Sequence, residues 1–187
     1  MMAEGTPRPE GRQDRAARVW TIANVLSFSR VPLAFLFVVI EDPGIRLAVL
    51  AGAAVSDLLD GWTARRFGPS SLGAKVDPIA DKIFSLSAFS VLALSGALAP
   101  LEVLGVLLRD ILTPVGYLAS VVARRPFTTP ARAGGKAVTV GQALTLAAWL
   151  LDSPLLRPMA WATAAMALYA LADYGRLAVQ YAQQPRE

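Results

Sequence analysis

Apolar residues dominate this chain from about residue 22 to residue 174, in long runs broken by short polar or Gly/Pro-containing stretches. The runs cover about Ile22–Ile40, Ile45–Ala64, Asp77–Leu98, Leu101–Val122, Ala137–Leu151 and Leu155–Tyr174. Each approaches the roughly 20 residues that an α-helix needs to cross the hydrocarbon of a bilayer, the fifth only at the lower margin. The breaks at Glu41-Asp42-Pro43-Gly44, Gly96–Pro100 and Asp152-Ser153-Pro154 carry turn signals. The pattern predicts an all-α integral membrane protein with six transmembrane helices. Residues 1–11 read as a disordered lead rich in Pro, Gly and charge. Arg12, Arg15 and Arg18 then recur at helical spacing up to Trp20, which predicts a short interfacial helix over residues 12–20. A cleaved signal peptide fits poorly, because no small-residue cleavage site precedes Glu41. The six-span domain is expected over residues 21–180, with a polar tail at 181–187.

Polar interruptions inside these runs carry the chemistry. Asp57, Asp60, Gly61 and Ala64 lie at i, i+3, i+4 and i+7, and Gly73, Asp77 and Asp81 at i, i+4 and i+8, so each set shares one face of a helix. Gly68-Pro69 marks a turn between them, which predicts two antiparallel helices whose acidic faces meet. Four converging carboxylates repel unless a cation compensates them. Hard oxygen ligands suit Mg²⁺, Mn²⁺ or Ca²⁺, and the chain has neither His nor Cys for a softer metal. Two divalent ions about 4 Å apart are a known device for in-line attack at phosphorus. The bland reading, four solvated aspartates at helix ends, conflicts with their apolar flanks. Arg30 lies inside the first run, where charge is expected to face a polar cavity, and the fourth run is expected to carry a buried Arg109-Asp110 pair. The small-residue runs Ala51–Ala54 and Ala160–Ala172 are expected to let helices approach closely.

Composition agrees. The chain has 187 residues, consistent with one domain, and is 55% hydrophobic and 17% charged. A net charge of +4 raises the question of nucleic acid. The basic residues fall in the loops between apolar runs, where anionic lipid headgroups are the natural partner, so no nucleic-acid partner is expected. Absence of cysteine excludes disulfide and thiol chemistry. Six spans place both termini on one side. That side holds the arginines before Trp20, Arg65, Arg66, Lys75, Lys82, Arg124, Arg125, Arg132, Lys136, Arg176 and Arg186; the other holds Arg46 and Arg157. The bias predicts cytoplasmic termini and a cytoplasmic acidic site.

The acidic stretch is similar to the signature of the CDP-alcohol phosphotransferases, integral membrane enzymes of phospholipid synthesis. Asp57-x2-Asp60-Gly61-x2-Ala64-Arg65 followed by Gly73-x3-Asp77-x3-Asp81 matches every fixed position. The spacer is one residue shorter than the family's usual one and falls in the turn. The resemblance in hydropathy runs over about residues 18–180. It implies metal-dependent transfer of a phosphatidyl group from CDP-diacylglycerol to an alcohol with release of CMP. It implies two Mg²⁺ or Mn²⁺ ions on Asp57, Asp60, Asp77 and Asp81, with Asp81 a ligand of the second ion or the base that takes the hydroxyl proton. It implies donor binding by Asp57, Gly61, Ala64, Arg65, Gly73 and Asp77. There the small residues let backbone approach the nucleotide and Arg65 pairs with phosphate. It also implies a homodimer and residence in a bacterial cell membrane.

The signature is silent on the acceptor. Gly135-Lys136-x2-Thr139-x2-Gln142 resembles a segment of phosphatidylglycerophosphate synthases and the related cardiolipin synthases. Arg30, Arg109, Arg132 and Lys136 offer more cationic donors than an uncharged acceptor needs, and a phosphate-bearing acceptor accounts for them. Ordinary positive-inside decoration is the plainer reading of Arg132 and Lys136. Glycerol 3-phosphate is therefore the expected acceptor, phosphatidylglycerol the close alternative, with inositol 1-phosphate and serine behind. A cation transporter is the alternative class. It calls for carboxylates near the midplane and an internal repeat, whereas the motif occurs once and lies toward one surface.

Overall fold

A computed structural model describes the backbone of residues 29–67, 73–122 and 133–182, and the side chains within these ranges except at 60–67, 73–78, 133, 179, 181 and 182. The expected lead at 1–11, interfacial helix at 12–20 and turn at Gly68-Pro69, the loop residues 124–132 and the tail beyond Ala182 lie outside the described residues. Among the described residues six helices run α1 (Ser29–Val39), α2 (Pro43–Phe67), α3 (Gly73–Leu94), α4 (Pro100–Val122), α5 (Ala133–Leu150) and α6 (Leu156–Ala182). No strand occurs among the described residues.

The helix ends follow from local chemistry. Asp42 caps α2, its Oδ1 accepting from Ile45 N at 2.8 Å, with Pro43 in the first turn where a missing N–H costs nothing. Glu102 reaches back in α4 to accept from Ala99 N at 2.8 Å, the carboxylate half of a capping box. Its other oxygen accepts from Trp161 Nε1 at 3.1 Å, so one buried glutamate both caps α4 and ties it to α6. After α3 the chain turns at Gly96, whose φ of +72° suits a residue without Cβ. After α5 it turns at Asp152, φ +48°, where Asp152 N and Ser153 N donate back to Trp149 O and Ala148 O. These are the turns expected from the sequence.

Three expected boundaries move. The basic loop was expected to extend through Lys136, but α5 begins at Ala133. Gly134 and Gly135 sit against Ala170 and Tyr174 of α6, so packing outweighs their weak helix propensity. Helix α3 begins at Gly73, ahead of Asp77, and α6 runs on past Tyr174 to Ala182.

Helices α4, α5 and α6 form the most closely packed part of the bundle; α2 rests on α5, and α3 on α4 and α5. A Cβ added at Gly105 would lie 3.0 Å from Ala164, and one at Gly141 only 2.5 Å from Thr163 Oγ1, so small residues set these crossings. The expected close approach along Ala160–Ala172 is thus present. Along Ala51–Ala54 it is not: only Ala53 is buried, and Gly52 faces open space. At the other end of the bundle Arg46 of α2 clips α1. Its Nε donates to Phe37 O at 3.0 Å, and its guanidinium lies 5.7 Å from the Phe37 ring centre and 5.6 Å from that of Trp149.

The distribution of polarity is that of a protein in lipid. Large apolar side chains face outward on every helix, including Phe35, Leu58, Leu94, Leu118 and Tyr169, while Arg30, Glu102, Gln142, Thr145 and Thr163 are buried. Exposed apolar surface on this scale calls for a non-aqueous neighbour. By length and hydropathy α4 is the one helix among the described residues that qualifies as a crossing segment, where six were expected. The shortfall of α2 and α3 against that test follows from their content: Asp57, Asp60 and Arg65 on one, Asp77, Asp81 and Lys82 on the other.

The small-residue crossing gives a direct stability test. Gly141→Ala is expected to cost about 1–3 kcal/mol through overpacking. Gly52→Ala, with nothing within 4 Å of the new Cβ, should be neutral or gain up to about 1 kcal/mol from helix propensity. Thermal unfolding of both variants in one detergent reads the difference, and equal melting temperatures would remove the packing account.

Candidate active site

The two acidic helices open onto one space. A cavity of about 230 Å³ is lined by Asp57 from α2, Asp81 and Ser85 from α3, Thr139 and Gln142 from α5, and Arg30 from α1. Its remaining walls are apolar, among them Leu50, Phe84, Phe89 and Leu146. Of the two acidic faces expected to meet, Asp57 and Asp81 are described, and they face each other across a cavity to which α5 also contributes a wall. Asp60 lies one turn beyond Asp57 on α2, and Asp77 one turn before Asp81 on α3. The side chains of Asp60, Gly61, Ala64, Arg65, Gly73 and Asp77 lie outside the described residues, as does Arg132.

Arg30 is buried, and its Nη2 donates to Asp57 Oδ1 at 2.9 Å; the Asp57 side chain itself remains 58% exposed. One fixed guanidinium thus compensates one carboxylate from behind and leaves Asp57 Oδ2 open. Asp81 faces the cavity with no hydrogen bond to any described residue. One turn further along α3, the Ser85 hydroxyl is buried and likewise without a partner.

The rear of the site is held by a defect in α4. Pro114 lacks an N–H, which frees the carbonyl of Asp110 four residues earlier. Lys82, next to Asp81, donates to that carbonyl at 3.0 Å. The Asp110 carboxylate accepts from Gln142 Nε2 at 2.7 Å, and Gln142 Nε2 also donates to Val106 O at 3.1 Å. Asp110 thus joins α3, α4 and α5 directly behind the cavity.

Arg109 and Asp110 were expected to form a buried pair, and they do not. Neighbouring residues on a helix point about 100° apart. Arg109 Nη1 instead donates to Gly135 O at 2.6 Å and, more weakly, to Thr139 Oγ1 at 3.4 Å, both on α5. Lys136 is exposed on the first turn of α5, beside Gly135. Lys82, counted among the surface cations from sequence, is half-buried and structural. The signal that could have found it was Pro114, a proline inside an apolar run with a lysine in the preceding helix to satisfy the carbonyl it frees.

Asp57 and Asp81 fit a divalent cation in donor chemistry. Both offer carboxylate oxygens to one cavity, and Arg30 supplies the only hydrogen bond they receive from described residues. Two aspartates alone do not make a full coordination shell; the other oxygens would come from Asp60, Asp77, water and substrate phosphate.

The sequence profile of a family described as CDP-alcohol phosphatidyltransferase matches residues 20–172. A cardiolipin synthase (CMP-forming) of Streptomyces coelicolor is 44% identical over 96 residues, 44% of each chain. A putative cardiolipin synthase of Mycobacterium tuberculosis is 38% identical over 129 residues, 66% of this chain and 61% of the relative. A probable phosphatidylglycerophosphate synthase of M. tuberculosis is 33% identical over 153 residues, 76% of this chain and 71% of the relative. The matches to the cardiolipin synthases thus span less than two thirds of those proteins. No solved structure matches the chain significantly. The profile covers most of the chain, including both acidic helices and the cavity between them: the protein belongs to the CDP-alcohol phosphatidyltransferase family.

Proposed function

We propose that this protein transfers the phosphatidyl group of CDP-diacylglycerol to glycerol 3-phosphate, forming phosphatidylglycerol phosphate and releasing CMP. The observation that carries the reading is the pair of carboxylates, Asp57 and Asp81, facing one cavity between α2 and α3 in a chain of this family. Asp57, Asp60, Asp77 and Asp81 would hold two Mg²⁺ or Mn²⁺ ions, which when bound neutralise the pyrophosphate and the departing CMP. Arg30 orients Asp57 through its hydrogen bond. Arg65 is assigned to the donor's phosphates, with Gly61, Ala64 and Gly73 leaving room for the nucleotide. Asp81 takes the proton of the attacking hydroxyl. The acceptor oxygen bonds to the β-phosphorus, the bond from that phosphorus to the bridging oxygen breaks, and CMP leaves with the electron pair.

Glycerol 3-phosphate as acceptor is supported by the cations at the end of the bundle where Asp57 and Asp81 lie. Arg109 is fixed against the first turn of α5, and Lys136 projects from that same turn. The similarity to a probable phosphatidylglycerophosphate synthase also runs over the longer part of the chain. A second reading, phosphatidylglycerol as acceptor with cardiolipin as product, is favoured by the higher identity to the Streptomyces cardiolipin synthase. A homodimer belongs to the same reading on family resemblance alone. The six helices are proposed to cross the membrane with termini and site cytoplasmic, where CMP is released to water. Withdrawing Lys82 from the surface cations leaves the charge bias intact.

Four outcomes test this. Asp57→Asn, Asp60→Asn and Asp77→Asn should each lower CMP release by about 100-fold or more, since loss of even an outer-shell partner of a metal costs about 10–100-fold; chelation should do the same. Asp81→Asn should reduce single-turnover rate by about 10²–10⁴-fold with donor affinity retained; the reverse would make it a ligand only. In a chain without native cysteine, Ser70→Cys should label from the cytoplasmic side, and Asp42→Cys and Ser153→Cys from the opposite side. Labelling of all three from one side would overturn the six-span topology. In an acceptor panel with Mn²⁺, glycerol 3-phosphate should support CMP release. Arg109→Ala and Lys136→Ala should then raise its KM about ten-fold or more, as expected for lost charge-assisted hydrogen bonds, with little change for the donor. Activity with phosphatidylglycerol alone would move the assignment to cardiolipin synthesis.

A further inference from the structure

The cavity contains one neutral acceptor whose direction is fixed by the fold. Gln142 is 5% exposed and lines the cavity shared by Asp57 and Asp81. Its Nε2 has two partners, Val106 O and the Asp110 carboxylate, and both can only accept. The amide cannot flip without setting its carbonyl oxygen against two acceptors. Gln142 Oε1 is therefore held away from α4, and it has no partner among the described residues.

An amide oxygen only accepts. Phosphate oxygens also only accept, so the phosphates of donor and acceptor are not its partners. An ammonium group would be drawn to Asp57 and Asp81 in preference to a neutral carbonyl. The donors that remain are hydroxyls and the cytosine amino group; those of the nucleotide go with Gly61, Ala64 and Gly73 in the proposed reading, which leaves the hydroxyls of the acceptor. The attacking hydroxyl gives its proton to Asp81 in the proposed reaction. A hydroxyl on the neighbouring carbon is thus the group for Oε1 to hold.

We infer that Gln142 is a specificity residue that selects polyol acceptors by accepting a hydrogen bond from the hydroxyl adjacent to the attacking one. This rests on the proposed transferase reading and deepens it. Glycerol 3-phosphate and the glycerol headgroup of phosphatidylglycerol both carry such a vicinal hydroxyl, so the inference holds for either acceptor. It also gives the Asp110 carboxylate a purpose: it fixes the Gln142 amide so that the carbonyl edge, not the NH₂ edge, meets substrate.

The test compares acceptors that differ by this one hydroxyl, using the full chain in detergent with CDP-diacylglycerol and Mn²⁺. The pairs are glycerol 3-phosphate against 3-hydroxypropyl phosphate, and phosphatidylglycerol against phosphatidyl-1,3-propanediol. The wild type should favour the hydroxylated member about ten-fold or more in kcat/KM. Gln142→Met should bring that ratio to about one, on top of any loss common to both acceptors. A purely structural role, or a role as cation ligand, would lower both acceptors together and leave the ratio unchanged; that result overturns the inference. The ratio is internal to each preparation, so partial misfolding cancels. Gln142→Asn, which withdraws the amide by one methylene, gives the same readout if the Met variant does not insert. A wild type without preference overturns the inference with no variant at all. Absence of CMP release with every acceptor would instead remove the transferase reading, and this inference with it.

Discussion

A charge or an unpaired hydrogen-bonding group in an apolar interior is costly, and most of the distinctive features of this structure answer that cost. Arg30 is buried because Asp57 receives its guanidinium. Lys82 can lie among apolar helices because Pro114 leaves a carbonyl free for it. The Glu102 carboxylate is satisfied by a backbone amide and an indole. Gln142 spends its NH₂ group on a carbonyl and a carboxylate. Among the described side chains that lack such a partner, Asp81 and the Ser85 hydroxyl line the cavity, where a substrate or a cation can meet them.

The bundle divides its labour accordingly. Helices α4, α5 and α6 approach closely through Gly105, Gly141 and the alanines of α6, and they form a stiff support. The hydrophobic effect adds little where lipid is the solvent, so close van der Waals packing is the force available. Helices α2 and α3 rest on this support and carry the carboxylates. The two parts share one buried apolar cluster, with Leu50 of α2 and Phe84, Phe89 and Leu92 of α3 alongside Val106, Leu146 and Leu150, and Lys82 of α3 adds a polar tie to the carbonyl of Asp110, whose side chain Gln142 holds from α5. The proline that weakens α4 thus supplies the anchor that sets α3, and with it Asp81, in place. Phosphoryl transfer depends on positioning more than on covalent chemistry by the protein, so a rigid seat for the carboxylates suits the proposed reaction.

Much of this was legible in the order of residues. Hydrophobic runs and Gly/Pro breaks gave six helices and their turns, because helix length in a bilayer and turn chemistry are local constraints. The spacing of Asp57, Asp60, Asp77 and Asp81 predicted two acidic helix faces, and Asp57 and Asp81 do line one cavity, since side-chain direction repeats with the helix. The same residues carried the family resemblance, and the family profile agrees with it. Where α5 begins was not legible: Gly134 and Gly135 read as loop in isolation and become helical only because α6 is there to pack on.

Tertiary structure alone decided the partners. Sequence set Arg109 beside Asp110 and suggested a pair, yet adjacent helical residues diverge, and each reaches a different residue of α5. Sequence counted Lys82 as a surface cation, whereas the fold brings it from α3 to a carbonyl freed in α4. It marked Arg30 as a charge in need of a polar surround, and only the packing of α1 against α2 showed that Asp57 fills that need. It noted Gln142 only as part of a motif; the direction of its amide required two acceptors from α4. Helices, turns and the acidic faces follow from interactions a few residues apart, which a sequence displays. Hydrogen-bond partners separated by some 27 to 36 positions depend on how helices cross, and that is settled by packing in three dimensions.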